Sequence, residues 1–190
     1  MKDLGDAIAA NLHRKAVFII VPRKRLDMDL EKGTVDGVCY YRPEWVEAKL
    51  NWSQPFIPNV ILLVGREGAP APDKLEYVAG KVLGTVLGYK YPELDALHGD
   101  YRRDDAPNMA SNIKKLENGR FEYAIIDQLS LDFHRKVEQN IGAISILPIT
   151  TINASCGFSP VSKIPFGEIN SAIIKMVKQG TVDKILAKYR

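Results

Sequence analysis

The sequence is poor in cysteine and histidine, the residue types that most often build metal centres and nucleophilic sites. It has two cysteines, Cys39 and Cys156, and three histidines in 190 residues. No CxxC or HxxxH spacing is present, so neither a metal nor another cofactor is expected. Two cysteines are also too few for a disulfide framework, and we expect both to be buried free thiols.

Long apolar runs and an excess of one charge are also missing. The longest purely apolar run is residues 16–21, far below the roughly 18 residues that a membrane-spanning helix needs. Lys and Arg number 26 against 23 Asp and Glu, and the net charge of +3 gives no reason to expect a nucleic acid partner. Residues 1–6 include acidic side chains and no apolar segment, so no signal peptide is visible in this chain.

The motifs of common enzymes are absent. There is no GxSxG, Walker A or GxGxxG sequence, and the histidines (His13, His98 and His134) are predicted on polar helix faces or at helix ends, away from any nucleophile. Asp104 and Asp105 form a pair of carboxylates, but Asp before a helix is usually a helix cap. These features do not predict an enzyme.

What is present is an alternation of short apolar strands with amphipathic helices. Strands are predicted at residues 16–21, 35–40, 59–64, 82–87, 100–103, 123–126, 143–147 and 150–158. Helices are predicted at residues 4–13, 25–32, 75–78, 92–97, 106–117, 129–139, 166–178 and 182–189. This order is typical of α/β proteins with parallel sheets. Residues 65–72, rich in Gly and Pro, are the best candidate for a linker or hinge.

The strand at 82–87 ends in Gly88, which allows a tight turn into the next helix. The first backbone N–H groups of a helix are unpaired and attract anions. Ligands of open α/β sheets bind at the carboxyl edge of the sheet, so this turn is a candidate wall of a ligand cleft. Any strand-to-helix connection of this kind would look similar, and a purely structural turn is the alternative.

Asp127 follows the apolar strand 123–126 and should lie on the same rim as the Gly88 turn. An anion beside an anion-binding helix end matches the ammonium and carboxylate groups of an amino acid. The alternative is that Asp127 caps the helix that begins near Leu129.

Arginines and aromatic side chains supply the remaining candidates. Arg42 follows a strand, and Arg102 and Arg103 are also able to clamp a carboxylate through two hydrogen bonds. An aromatic-rich loop after the second strand could hold a ligand between rings or pack the lobe. Its aromatic side chains include Tyr40, Tyr41, Trp45 and Trp52.

Five segments, taken in order, resemble motifs of one family. Residues 30–36 (LEKGTVD) are similar to L-x-x-G-x-V-D, and residues 52–56 (WSQPF) to F-S-x-P-Y. Leu75 with residues 80–88 (GKVLGTVLG) is similar to L-x-G-K-x-V-G-V-x-x-G, and residues 116–124 (LENGRFEYA) with Asp127 to L-x-x-G-R-x-D-A-x-x-x-D. The tail at residues 169–189 is similar to x-N-x-A-I … G-x-x-x-x-I-x-x-K-Y. Together these segments resemble bacterial solute-binding protein family 3, the periplasmic receptors of amino acid uptake transporters.

The resemblance implies a periplasmic-binding-protein-like fold of two α/β lobes joined by two crossing hinge strands. Residues 1–64 and 148–190 would form lobe one, and residues 65–147 would form the inserted lobe two. By position, Asp127 matches the acid that receives a ligand ammonium. The turn from Thr85 through Gly88 to Tyr89 matches the start of the carboxylate-binding helix.

Two departures from the family pattern affect these expectations. The family arginine that precedes F-S-x-P-Y has Val46 near its place, in a loop about two residues shorter, and Arg42 is the nearest substitute. Family members also begin with a strand and an aromatic loop that this chain lacks. We therefore expect an incomplete lobe one with an exposed sheet edge, covered by a neighbouring chain of a homo-oligomer.

The function implied by the resemblance is capture of a small polar solute by hinge closure, without a chemical step. The solute would be an amino acid or related carboxylate, the partners would be the membrane subunits of an ABC transporter, and the location would be the periplasm. One alternative is a dehydratase acting on a cyclic prephenate-like acid, with Asp127 or Glu44 as the acid. Another is a sensory lobe of a membrane receptor.

Overall fold

The computed structural model describes residues 2–138, 142 and 144–189. The helices of this part are α1 (Lys2–Asn11), α2 (Arg23–Glu31), α3 (Met109–Glu117), α4 (Gln128–Glu138), α5 (Phe166–Lys178) and α6 (Thr181–Ala187). The strands are β1 (Gly37–Tyr41), β2 (Asn51–Trp52), β3 (Ile57–Gly65), β4 (Val82–Val86), β5 (Arg102–Ala106), β6 (Tyr123–Asp127) and β7 (Ser145–Phe158). Short 3₁₀ helices occur at Pro43–Trp45, Leu75–Val78 and Pro92–Leu97. No helix of the described part is long and apolar enough to cross a membrane.

The chain forms two compact units. Unit 1 contains Met1–Pro58 and Asn153–Lys188, and unit 2 contains Asn59–Ile152 with Tyr189–Arg190. The chain enters unit 2 near the start of β3 and leaves it within β7. The lobe boundaries predicted from the sequence, near residues 64 and 147, remain a proposal.

In unit 1, β7 pairs antiparallel with both β1 and β2. Helices α1 and α5 pack together, and α6 packs on α5. Apolar residues at helical spacing form the buried face of α5, since Ile169, Ile173 and Met176 are all buried. The core of unit 1 therefore depends on helix faces that the 3.6-residue period predicts.

The predicted strand at residues 16–21 is wrong. Residues 14–22 form neither helix nor strand, and Val17 and Ile20 are 81% and 99% exposed. A strand forms only where a neighbour completes its backbone hydrogen bonds. No backbone hydrogen bond joins residues 16–21 to another residue of the described ranges.

The prediction of two free thiols is also wrong, because Cys39 and Cys156 form a disulfide. The antiparallel register of β1 and β7 places the two residues directly opposite each other, with their Cα atoms 3.9 Å apart. They are 117 residues apart in the sequence, so only the pairing of the strands brings them together.

In unit 2 the strands follow the order β3, β6, β4, β5. β4 is parallel to β6 and β5, whereas β3 is antiparallel to β6. Helices α3 and α4 pack on this sheet over a buried core that includes Leu62, Ile113, Phe121, Ile126 and Leu131. The carboxyl ends of β4, β5 and β6 therefore share one edge with the amino end of β3.

Several helices and strands have boundaries that differ from the predicted ones. The strands predicted at 143–147 and 150–158 are one strand, β7, and residue 143 lies outside the described residues. Helix α3 begins after Asn108, whose side chain accepts a hydrogen bond from the Ser111 N–H, because Ala106 still belongs to β5. The helix predicted at 129–139 begins at Gln128, and residue 139 lies outside the described part.

Candidate functional site

The carboxyl edge of the unit 2 sheet brings polar side chains from four strands together. We use the name carboxyl edge for Asn59, residues 85–91, Arg103, Asp105 and Asp127. Asp105 and Asp127 lie at or next to the carboxyl ends of β5 and β6, residues 85–91 end and follow β4, and Asn59 lies near the amino end of β3. Arg103 lies near the amino end of β5 and reaches the edge through its long side chain. The antiparallel pair Ile61↔Asp127 explains why Asn59, near the start of β3, lies beside the end of β6.

Asp127 is buried and accepts two hydrogen bonds through one oxygen. Its Oδ1 accepts from Asn59 Nδ2 at 2.8 Å and from the Ser130 backbone N–H at 3.0 Å. The second bond is that of a helix cap, so Asp127 has the structural role that the sequence left as an alternative. Between described residues no hydrogen bond reaches Oδ2, and a charged acceptor remains at the edge.

Asn59 holds the start of α4 in place. Its Oδ1 accepts from the backbone N–H of Val60 at 2.8 Å and from that of Leu129 at 3.1 Å. Asn59 and Asp127 are 4% and 6% exposed. Buried polar groups are costly unless paired, so this pair fixes the geometry around the Asp127 carboxylate.

Thr85, Arg103 and Asp105 form a second polar cluster. The register Thr85↔Asp105 of the parallel strands β4 and β5 places the hydroxyl 2.6 Å from Asp105 Oδ1, to which it donates. Arg103 donates to the same oxygen from Nε at 3.0 Å and from Nη2 at 2.7 Å. Thr85 is fully buried, and its hydroxyl hydrogen is already committed to Asp105.

Arg103 also fastens the turn after β4. Its Nη2 donates to the Val86 carbonyl at 2.9 Å and its Nη1 to the Tyr89 carbonyl at 3.2 Å. The guanidinium lies 5.2 Å from the centre of the Tyr91 ring, within the range of a cation–π interaction. One side chain thus holds both ends of the turn that contains Gly88.

The turn itself adopts a conformation that suits its sequence. Gly88 has a φ of +77°, which glycine accepts at little cost. The Val86 N–H donates to Tyr91 Oη at 2.8 Å, and burial raises the pKa of Tyr91. The helix predicted after this turn is a 3₁₀ helix, Pro92–Leu97.

The structure separates Arg102 from this group. Arg102 pairs with Val82 at the beginning of β4, so it lies at the opposite end of the sheet from Val86 and Ala106. Its side chain is exposed. Arg103, the other arginine considered from the sequence, is the one that reaches the carboxyl edge.

The candidates in unit 1 make local contacts of their own. Arg42 forms an ion pair with Glu44, and its guanidinium lies 5.7 Å from the centre of the Trp45 ring. Tyr40 has a φ of +65° at a bulge in β1, a conformation that is uncommon for a residue with a side chain. The Trp52 ring lies against the backbone of Gly157, 3.0 Å from where a Cβ would be.

Asn59 and His134 are two of the buried polar residues that sequence reasoning missed. Asn59 had a signal, because it is a polar residue at the start of an otherwise apolar strand. His134 was predicted on a polar helix face but is 6% exposed, with Nε2 3.0 Å from Glu117 Oε1. The partner comes from α3, which the spacing within α4 does not reveal.

Comparison with known proteins agrees with this architecture, although no family model matches the chain. A Vibrio harveyi protein, PatH, named as an amino-acid ABC transporter-binding protein, is 24% identical over 98% of this chain and 77% of its own length. An ancestral arginine-binding protein bound to glutamine superposes with a TM-score of 0.80 at 23% identity, over 99% of this chain and 85% of that chain. A Streptococcus pneumoniae ABC uptake transporter substrate-binding protein with bound histidine gives 0.78 at 20% identity, over 99% and 81%.

A further solved structure is an ancestral amino acid-binding protein described as a precursor of cyclohexadienyl dehydratase. It superposes with a TM-score of 0.81 at 18% identity, over 99% of this chain and 83% of that chain. The chain thus has a periplasmic-binding-protein-like α/β fold, and the predicted fold class is confirmed. The resemblance in sequence to amino-acid-binding proteins of ABC transporters is confirmed as well, at a divergent level of identity.

Proposed function

Since the fold is that of amino-acid-binding proteins, we propose that this chain captures a small polar solute for an ABC transporter outside the cytoplasm. The solute is an amino acid or a related carboxylate, and the partners are the membrane subunits of the transporter. The names of PatH and of the solved structures with bound glutamine and histidine support this class of ligand. The observation on which we rely most is the buried Asp127 carboxylate with one oxygen left for a ligand.

In this proposal Asp127 Oδ2 receives the ammonium group of the solute. A charge-assisted hydrogen bond to a buried carboxylate is stronger than a neutral one. Asn59 and the start of α4 occupy Oδ1, so the other oxygen is oriented before the ligand arrives. That arrangement lowers the cost of ordering the site on binding.

The turn after β4 supplies the contact for the carboxylate of the solute. The Gly88 N–H makes no hydrogen bond to another described residue, and we assign it to the carboxylate. Tyr89 provides an aromatic neighbour, since its side chain is 38% exposed. Thr85 and Arg103 position the site and do not contact the solute in this proposal. Thr85 donates to Asp105, and Arg103 donates to the backbone of the turn.

For Arg42, Tyr40 and Trp52 of unit 1 we propose ligand contacts from the family resemblance alone. Arg42 would take the place of the arginine expected from that resemblance and clamp a carboxylate, and Tyr40 and Trp52 would add aromatic surface.

We propose that no chemical step follows binding. The neighbour described as a precursor of a dehydratase is itself named as an amino acid-binding protein. A dehydratase needs an acid aimed at the leaving hydroxyl, and Glu44 is held in an ion pair with Arg42. Formation of product from a cyclic prephenate-like acid, lost in Asp127→Asn, would favour the enzyme instead.

The disulfide supports a location outside the cytoplasm. Disulfides persist in the periplasm and on the cell surface, and are rare in cytosolic proteins. The bond between Cys39 and Cys156 therefore fits the compartment in which binding proteins of uptake transporters work. A sensory lobe would occupy the same compartment, and stimulated uptake by a reconstituted transporter distinguishes the two.

The test is a ligand screen on protein freed of bound solute by unfolding and refolding. Thermal shifts with each amino acid and with small carboxylates should identify a ligand, and calorimetric titration should then give its affinity. Asp127→Asn should weaken binding at least about tenfold, the equivalent of one charged hydrogen bond. Asp132→Asn, in the next turn of α4, is the matched control. No thermal shift with any solute, or equal affinity in Asp127→Asn, would contradict the proposal.

A further inference from the structure

The pairing between strands β4 and β6 of unit 2 stops before either strand ends. Their parallel register contains two residue pairs, Leu83↔Tyr123 and Gly84↔Ala124. β4 continues to Val86 and β6 continues to Asp127. On their other sides, β4 stays paired with β5 and β6 stays paired with β3 as far as these last residues. The interruption is therefore confined to the space between β4 and β6.

The alternation of the backbone identifies the hydrogen bond that is missing between the two strands. Along a strand, the amide groups of successive residues face opposite neighbours. The Leu87 N–H donates to β5 at 2.9 Å, so Val86 faces β6. The Glu122 carbonyl accepts from Arg66, the residue after β3, at 2.9 Å, so Ile125 faces β4. The next bond along the ladder would therefore run from the Val86 N–H to the Ile125 carbonyl.

Two side chains take the place of this main-chain bond. The Val86 N–H donates instead to Tyr91 Oη at 2.8 Å, and the Ile125 carbonyl accepts from Asn112 Nδ2 at 3.1 Å. Buried backbone groups are costly when they are left unpaired. Tyr91 and Asn112 remove that cost, so β4 and β6 can separate beyond Gly84 without leaving either group unsatisfied.

The packing around Asn112 indicates that its amide has a role in the sheet. Asn112 lies on α3 and is fully buried. A Cβ on Gly84 would lie 2.7 Å from Asn112 Oδ1, so the glycine makes room for the amide. Oδ1 has no hydrogen-bond partner among the described residues. A half-satisfied buried amide costs stability that an apolar side chain would not, and what the amide supplies in return is its N–H to Ile125.

The separation of the strands coincides with the proposed solute site. Asp127 ends β6, and Gly88 lies in the turn after β4, so the two groups that we assign to the solute lie on either side of the gap. Strands joined by main-chain hydrogen bonds lie about 4.8 Å apart. A solute between Asp127 and Gly88 needs a hydrogen bond of about 2.9 Å at each end, besides the width of its own ammonium and carboxylate groups. A closed ladder leaves too little width for them.

We propose that Asn112 and Tyr91 are positioning residues that keep the ends of β4 and β6 apart and thereby form the solute pocket of unit 2. Neither side chain contacts the solute. Each replaces one end of a main-chain hydrogen bond, and the width of the pocket depends on both. This inference rests on the proposed function, because it assigns the gap to the amino acid that the chain captures.

The first measurement needs no solute. NMR couplings across hydrogen bonds connect the amide nitrogen of one strand with the carbonyl carbon of its neighbour. Wild type should show a coupling from Gly84 to Tyr123 and none from Val86 to Ile125. In the double variant Tyr91→Phe, Asn112→Ala, the two freed groups should pair with each other and their coupling should appear.

A coupling from Val86 to Ile125 in wild type, or its absence from the folded double variant, would overturn the proposal. Asn112→Leu, which fills the space of the amide, replaces Asn112→Ala if the smaller residue prevents folding.

The second measurement is solute affinity. The probes are the standard L-amino acids, titrated by calorimetry, and the one that binds wild type most tightly is used for the variants. Tyr91→Phe and Asn112→Ala alone each leave one side-chain bond in place and should bind within about threefold of wild type. The double variant should bind at least about tenfold more weakly, although Asp127 and Gly88 are unchanged.

Stability should respond in the opposite sense to affinity. The urea midpoint of the double variant should fall by less than the sum of the two single shifts, because the freed groups pair with each other. A merely structural role of Asn112 and Tyr91 predicts additive changes in both affinity and stability, and additive changes in both would overturn the proposal.

A control double variant removes the same two groups away from the carboxyl edge. Asn118 is exposed after α3, and Tyr101 precedes the amino end of β5. Asn118→Ala with Tyr101→Phe should leave the couplings and the affinity unchanged. No binding of any amino acid to wild type would contradict the proposed function, whereas equal binding by wild type and by Tyr91→Phe, Asn112→Ala would overturn only the role of these two residues.

Discussion

The Asn59 amide donates a 2.8 Å hydrogen bond to the Asp127 carboxylate, and both side chains are buried. Asn59→Ala should lower the free energy of unfolding by about 1–3 kcal/mol, because it leaves a buried carboxylate oxygen and the Leu129 N–H without this partner. Urea unfolding at pH 7 measures the loss. Asn118→Ala, at an exposed position after α3, is the control and should change stability by much less.

Asn59→Asp tests the same contact by placing a second carboxylate beside Asp127. Two carboxylates would then face each other in a buried site, where like charges raise the pKa of one of them. The variant should be less stable than Asn59→Ala at pH 7 and should recover part of the loss at pH 5, as the pair takes up a proton. Equal stability of the two variants at both pH values would contradict the close contact.

Much of the fold follows from local pattern. The apolar runs at β4 and β6 and the spacing of buried residues in α5 reflect burial of one strand or helix face, which the sequence shows directly. Since parallel strands end at a common edge, the placement of Gly88 and Asp127 on one rim also follows. The run at 16–21 has the same apolar character, but no strand among the described residues pairs with it, and local pattern does not show whether an apolar run will find a pairing partner.

The contacts that define the site depend on register, which local pattern does not contain. Thr85 meets Asp105 across 20 residues of sequence, Asn59 meets Asp127 across 68, and the two cysteines meet across 117. A shift of one residue in strand pairing would reverse which face each side chain occupies. Strand register also decides which of Arg102 and Arg103, adjacent residues of β5, reaches the carboxyl edge.

Arg103 should prove to be a positioning residue for the turn after β4. Arg103→Gln removes most of the donors that hold Asp105, Val86 and Tyr89, so we expect faster hydrogen exchange at residues 87–91 and a loss of about 1–3 kcal/mol in stability. Arg102→Gln is the matched control, since Arg102 lies at the opposite end of the sheet from the turn. Similar exchange in the two variants would show that the turn does not need Arg103.

The disulfide should contribute a large part of the stability of the chain. It closes a loop of about 117 residues, and a loop of roughly 100 residues corresponds to about 4–5 kcal/mol in the chain-entropy model. Urea unfolding with and without reductant should show a loss of about 3–5 kcal/mol. The double variant Cys39→Ser, Cys156→Ser should be insensitive to reductant. Alkylation of two thiols in the unreduced protein would disprove the bond.

We expect Asp104 to make the free energy of unfolding depend on pH under acidic conditions. Its Oδ1 accepts from Lys115 Nζ at 2.6 Å, and its Oδ2 from Arg120 Nε at 2.9 Å. The hydrogen bond from Lys115 lowers the pKa of Asp104 more than partial burial raises it, and Arg120 lowers it further. The stability that the Asp104 carboxylate contributes is therefore complete above its pKa in the unfolded chain, about 3.9. It is lost as the pH falls through the lower pKa that Asp104 has in the folded protein.

The measurement for Asp104 is a comparison of urea unfolding between wild type and Asp104→Asn from pH 6 to pH 2.5. Wild type should be more stable at pH 6, and the difference should shrink toward pH 2.5, because the protonated acid resembles the amide. Asp73→Asn, an exposed acid, should show a much smaller change. A difference that grows as the pH falls would mean that the folded pKa is raised.

Gly84 is the position where added volume should cost most. A Cβ on Gly84 would overlap the buried Phe121 ring and lie 2.7 Å from Asn112 Oδ1, whereas a Cβ on Gly167 in α5 would meet nothing within 4 Å. Gly84→Ala should lower the free energy of unfolding by about 1–3 kcal/mol through overpacking. Gly167→Ala should be neutral or stabilising by up to about 1 kcal/mol, because alanine restricts the unfolded chain. If overlap with the ring is the cause, Phe121→Leu should cost less in the Gly84→Ala background than in wild type, and additive losses would place the strain elsewhere.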